Sequence, residues 1–134
     1  MTATASLALQ MAVIARLRGD AALVALLGGA HVHDHVPRTA SPPYVALARM
    51  ETRPLGSSVV TGAEHRMVLH IWPAGDGRKD AHAIAAAIEA ALIAPLPLDG
   101  AHLVNLAAVS WECARLDKDH YRGALTIRAV TEDN

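Results

Sequence analysis

The chain has 134 residues, 52% of them hydrophobic but only 3% aromatic, with no Phe. That length suits one domain able to bury about two thirds of its unfolded surface around an aliphatic, Ala-rich core. Twelve Lys and Arg against thirteen Asp and Glu give a net charge of −1, which argues against a protein held to nucleic acid by counterion release, and a single cysteine excludes an intrachain disulfide.

Residues 6–27 read as helical. Leu7, Met11, Ile14 and Leu17 recur at helical spacing and predict one buried stripe, with Ser6 as N-cap. Gly19-Asp20 breaks this run. Asp20 can cap a second short piece, Ala21 to Leu27, and Gly28-Gly29 ends it. His31 to Val36 predicts a short strand, followed by a proline-bounded loop through Pro37, Pro42 and Pro43. Tyr44 to Thr52 reads as a strand, and residues 53–63 as a flexible connection with apolar content. Glu64 to Trp72 alternates clearly, with Met67, Leu69 and Ile71 on one face and Arg66, Val68 and His70 on the other. Asp80 to Ala94 predicts a helix with Ile84, Ile88 and Leu92 buried, ended by Pro95 and Pro97. His102 to Arg115 and His120 to Thr131 predict a hairpin turning at Asp117-Lys118-Asp119.

The order implies an α+β, two-layer domain spanning 1–134: a mostly antiparallel sheet of about five strands with two helices on one face. The sheet's other face carries Val68, Trp72 and Val130, too apolar to be wholly solvated, so a partner surface is expected there. No secretion or membrane segment is expected. Arg16 and Arg18 interrupt the first apolar stretch, and His82 and Glu89 the later one.

Three candidates for chemistry stand out. His31, His33 and His35 at i, i+2 and i+4 would share one side of a regular strand, within reach of one zinc or nickel ion, with Asp34 as neighbour. The pattern is one residue short of the His-x-His-x-Asp-His signature of metallo-hydrolases, and an exposed strand face is the simpler reading. Cys113 has no histidine base nearby in sequence and reads as a buried structural thiol. Gly75-Asp76-Gly77-Arg78-Lys79 precedes a helix but lacks the spacing of a phosphate loop, so a tight turn accounts for it. No catalytic residues, metal or cofactor are assigned.

Six pieces in order carry a resemblance. They are Leu9-Gln10-Met11-Ala12-Val13-Ile14-Ala15-Arg16-Leu17; Asp20 to Gly29; Val32 to Pro37 followed by Pro43-Tyr44-Val45-Ala46-Leu47; Met67 to Trp72; Gly77-Arg78-Lys79-Asp80-Ala81 entering the helix Ile84 to Leu92; and Leu96 to Leu103 with the closing strand Tyr121 to Thr131. Together they resemble the tail-completion, or tail-terminator, family of long-tailed phages and phage-derived gene transfer agents. The pattern differs at His33, where an aromatic such as Tyr is expected.

The resemblance implies a structural protein rather than an enzyme. It implies a ring, typically hexameric, at the head-proximal end of the tail tube in the virion neck, assembled in the host bacterial cytoplasm. The implied partners are further copies of the chain, the major tail tube protein and a head-completion or stopper protein. DNA would pass through the lumen without specific binding, and no membrane is involved. Alternatives are another neck ring, such as a stopper or adaptor, and a small metal-dependent hydrolase using His31, His33 and His35. The expected assembly surface comprises an arm over residues 53–63, with Leu55, Ser57, Ser58, Val59 and Val60, and the sheet residues Arg66, Val68, Trp72, Arg128 and Val130.

Overall fold

In a computed structural model of the chain, residues 2–56, 61–75 and 77–133 are described. The elements in order are α1 (Thr2–Arg18), α2 (Ala21–Leu27), β1 (Val32–His33), β2 (Tyr44–Gly56), β3 (Thr61–Trp72), α3 (Arg78–Ala91), β4 (Ala101–Arg115) and β5 (Tyr121–Asp133). They form the expected α+β fold.

Helix α1 is apolar almost all round, so spacing alone cannot choose its inward stripe. The stripe is Ala5, Leu9, Val13 and Leu17, each at most 3% exposed, whereas Leu7 and Met11 stand 56% and 62% exposed. The expected stripe is therefore correct only at Leu17, with Ile14 half-buried. Ser6 is no cap, because the Ala-rich start already carries the helix back to Thr2. The break at Gly19-Asp20 is as read. The Asp20 carboxylate accepts the Leu23 N–H at 3.0 Å and caps α2. Gly28, at φ 73°, ends α2 in the left-handed conformation, and the Gly29 N–H donates to the Val24 carbonyl at 3.0 Å.

The five strands make one sheet in the order β1-β2-β3-β5-β4. Its long strands are antiparallel, and only β1 pairs parallel, with Val32 opposite Val45. Residues 53–56 and 61–63 are not a flexible connection. They extend the β2–β3 ladder, pairing Arg53 with Glu64, Pro54 with Ala63, Leu55 with Gly62 and Gly56 with Thr61. Pro54 and Gly56 disguise this segment as a loop in sequence, because both residues are poor strand formers. Ser57, Ser58, Val59 and Val60 lie outside the described residues.

One face of the sheet meets the helices. Met67, Leu69, Ile71, Leu125, Ile127 and Ala129 pack there with Leu9, Val13, Leu17, Ile84 and Ile88 in a single core. Helix α3 is shorter than the Asp80–Ala94 span expected at its C-terminal end, and Arg16 explains the segment that follows. The Arg16 guanidinium donates to the carbonyls of Ala91 at 3.0 Å, Ala94 at 3.3 Å and Pro95 at 2.8 Å. A cation thus satisfies the last carbonyl of α3, which has no intrahelical donor, and two carbonyls of the segment that follows.

His65 is the polar exception in the core. It is fully buried, with Nδ1 2.9 Å from the Thr52 hydroxyl and Nε2 2.8 Å from the Thr131 hydroxyl. Each hydroxyl can donate or accept, so both nitrogens of a neutral ring are satisfied across three strands. Burial holds the His65 pKa below the ordinary imidazole value. Among the described residues no helix is long and apolar enough to cross a membrane.

Candidate assembly surfaces

The sheet face away from the helices is a grid of paired charges. Its residues come from alternate positions: Arg49, Glu51, Arg53 and Leu55 on β2, Glu64, Arg66, Val68, His70 and Trp72 on β3, and Arg122, Thr126, Arg128 and Val130 on β5. The Arg128 guanidinium donates through Nε and Nη2 to one Glu64 oxygen at 3.1 and 2.8 Å, and Arg66 lies 3.6 Å from the other. That hydrogen bond from Arg128, reinforced by the charges of Arg128, Arg66 and Arg53, holds the Glu64 carboxyl below the usual range. Glu51 similarly serves Arg49 at 2.9 Å and Arg53 at 3.0 Å.

Arg66 and Arg128 are therefore brought together, on one carboxylate. Val68, Trp72 and Val130 are not. Val68 sits opposite Thr126 and Arg49, Val130 opposite Glu64 and Asn105, and Trp72 opposite Tyr44 at the end of the sheet. Each is half-buried, and ionic residues separate them, so they form no single apolar patch. Leu55 is 39% exposed near the far end of the β2–β3 hairpin.

The histidine triad does not assemble. Strand β1 covers only Val32 and His33, and the chain bends at Asp34 and His35. A period-2 arrangement needs a longer strand. The His31 and His33 rings lie 6.4 Å apart, and instead a run of rings continues from His33 to Tyr44 at 6.0 Å and from Tyr44 to a stacked Trp72 at 6.3 Å. Among the described residues no group of three His, Cys, Asp or Glu could hold a metal ion. Burial, with the charges of His31 and Arg18, lowers the His33 pKa; burial, with Arg122, lowers that of His70. Cys113 is half-buried on β4 rather than fully buried, because an edge strand leaves one flank open.

A second surface lies along β4. This 15-residue strand has β5 on one side and no described strand on the other. Val104 and Val109, at its two irregularities in register, are 53% and 48% exposed. Beside it, a cleft of about 510 Å³ is lined by residues 92–98 and by β4 residues including Leu103, Val104 and Leu106. Ile93 stands 83% exposed over that cleft. On the other flank of Pro97, exposed Leu7 and Met11 line a further depression with Ala8 and Ala12. Sequence reading missed this surface because it assigned Leu7 and Met11 inward and placed Ile93 within a longer helix. The available signal was the isoleucine between the buried Leu92 and the Ala94-Pro95 stop.

The family model for tail completion protein gp17 matches residues 11–132. Among solved structures, a chain from the virion of a native gene transfer agent particle is 36% identical, with a TM-score of 0.84 over 93% of this chain and 95% of that one. The gp17 protein of bacteriophage SPP1 is 23% identical, with a TM-score of 0.62 over 93% of this chain and 89% of that one, and shares the fold. A search of curated proteins gave no match. With most of its length matched by the family model and a 36%-identical relative over nearly its whole length, the chain belongs to the tail completion protein gp17 family, structural components of phage-type tails.

Proposed function

We propose that the chain is a tail terminator, that six copies form a ring, and that the ring caps the head-proximal end of a tail tube. It stops addition of the major tail tube protein and gives the head-completion or stopper protein its docking face. The observation that carries this reading is the 36% identity, over nearly the full length of both chains, to a component of a gene transfer agent virion. Termination then needs no catalysis: a heterologous contact that closes on itself presents unlike faces above and below.

The paired-charge face suits a passage for DNA. Its arginines are already engaged with Glu51, Glu64 and, for Arg122, with Glu112 at 3.6 Å, so a passing phosphate backbone meets few free cations. The β2–β3 hairpin is the arm that reaches the tube or a neighbouring copy, with Leu55 near its described end; Ser57, Ser58, Val59 and Val60, next in sequence, are assigned to the same arm. On this reading Arg66, Val68, Trp72, Arg128 and Val130, expected at a contact between copies, face the DNA passage instead. Deleting the gene in particle-producing cells should give tails of irregular length without heads, seen by electron microscopy. Tails of normal length joined to heads would refute the proposal.

A further inference from the structure

We infer that the free edge of β4 pairs antiparallel with the outer edge of β2, residues 49–56, of the next copy of this same chain. The inference rests on the ring reading above and specifies its subunit contact.

Among the described residues, both edges are open within one chain. Strand β1 pairs with β2 at Val45 and Ala46, and positions 49–56 have β3 on one side and, among the described residues, no strand on the other. Strand β4 has no described neighbour beyond β5. An edge of this length is a template for pairing unless it is blunted. Strand β4 carries neither Pro nor Lys between Ala101 and Arg115, and in residues 49–56 of β2 Pro54 alone lacks an N–H, so at most one ladder donor is lost there. The alternation of the sheet makes a second copy the fitting occupant. Strands β2, β3, β5 and β4 run alternately up and down, so β2 and β4 point in opposite directions. Copies related by rotation about an axis along the strands then bring β4 of one beside β2 of the next in antiparallel sense, and the alternation continues unbroken. Such a contact is heterologous, the kind that makes rings.

Charge selects the register. Glu112 is 66% exposed on the face away from the helices, with Arg122 3.6 Å away on one side and, among the described residues, no strand on the other. Arg49 is the 70%-exposed cation at the start of the free β2 edge. Setting Arg49 opposite Glu112 sets Glu51 opposite Ser110. The irregularity between Ala108 and Ser110 then brings Arg53 opposite Ala107, Pro54 opposite Leu106 and Leu55 opposite Asn105. Every one of these pairs matches in face. Arg53 and Leu55 meet residues on the charged face, while Pro54 meets Leu106 on the helix side, in the cleft under Ile93. The cleft thereby gains an apolar filling.

The test uses the full chain with Cys113→Ser, Leu55→Cys and Asn105→Cys. The two introduced cysteines lie on exposed positions, and directly opposed strand residues have the Cα separation of a disulfide, about 4.5–5.5 Å. Under mild oxidation the double-cysteine chain should give a ladder of covalent multimers on a denaturing gel, and either single-cysteine chain none beyond a dimer. In parallel, Glu112→Arg should weaken self-association about tenfold, and adding Arg49→Glu should restore it to within about threefold. Rings that form without the ladder and without the charge rescue overturn this contact and leave the ring reading intact. A chain that stays monomeric up to about 1 mM, by sedimentation, overturns both.

Discussion

Gly123→Ala tests how β4 is held onto the sheet. A methyl group at Gly123 would meet the outer carbons of the Trp111 ring and come within 3.3 Å of the Ile71 Cβ. Trp111 is thus laid across the β5 backbone, with His82 of α3 edge-on to it at 5.3 Å. Ile71 is fully buried in β3 and cannot retreat, so the strain falls on Trp111. Gly123 has no left-handed φ, so alanine in free space would stabilise by about 0.4–1 kcal/mol through the unfolded chain. Overpacking opposes this with about 1–3 kcal/mol, leaving a net loss of about 1–2 kcal/mol. For a domain of this size that is a fall of about 3–8 °C in Tm. The decisive measurement is a double-mutant cycle with Trp111→Leu, followed by circular dichroism in urea. Removing the ring should abolish the cost of Gly123→Ala or reverse its sign, a coupling of at least about 1 kcal/mol. An equal cost in both backgrounds would show that Trp111 does not set the constraint.

Three further outcomes are expected. Arg16→Ala should cost about 1–2 kcal/mol, since three carbonyls lose a charged donor, and should speed amide hydrogen exchange selectively in residues 92–96; unchanged exchange there would count against the clamp. Asp20→Ala should cost about 1 kcal/mol by denaturant titration, whereas Asp20→Asn should cost far less; equal losses would contradict its role as a cap. Because the folded His65 pKa is depressed, the unfolded chain binds the proton more readily. Its contribution is present above the unfolded value near pH 6.5 and is lost as pH falls below it, by up to about 1.4 kcal/mol per pH unit. His65→Gln should flatten that slope in a pH series of urea unfolding, and a slope equal to that of the unsubstituted chain would locate the titration elsewhere.

The sequence conveyed most of the architecture wherever one pattern acted alone. Strand β3 and strand β5 alternate strictly, so Met67, Leu69 and Leu125 declared their inward side. Asp20 and Gly28 declared the ends of α2 through backbone chemistry that neighbours do not modify. It conveyed less where every position is apolar, as in α1, because burial there depends on which side the sheet happens to lie. It misled at residues 53–56 and 61–63, where tertiary pairing carried Pro54 and Gly56 into a ladder against their local preferences. The candidate surface was legible in part. Arg66 and Arg128 lie on the expected face, but their shared carboxylate, Glu64, comes from register rather than spacing. Ile93 and the β4 flank depend on the path of residues 92–98, which Arg16 fixes from 75 or more positions away.

Each chain contributes four long strands that alternate in direction, an even number. Adding another copy at an edge therefore begins and ends with the same polarity, whatever the number already joined. Direction places no arithmetic limit on how many protomers can close, and circumference is left to the bend and twist that each unit imposes on its neighbour. A single substitution that flattened one such unit would change the bore without changing a single pairing rule.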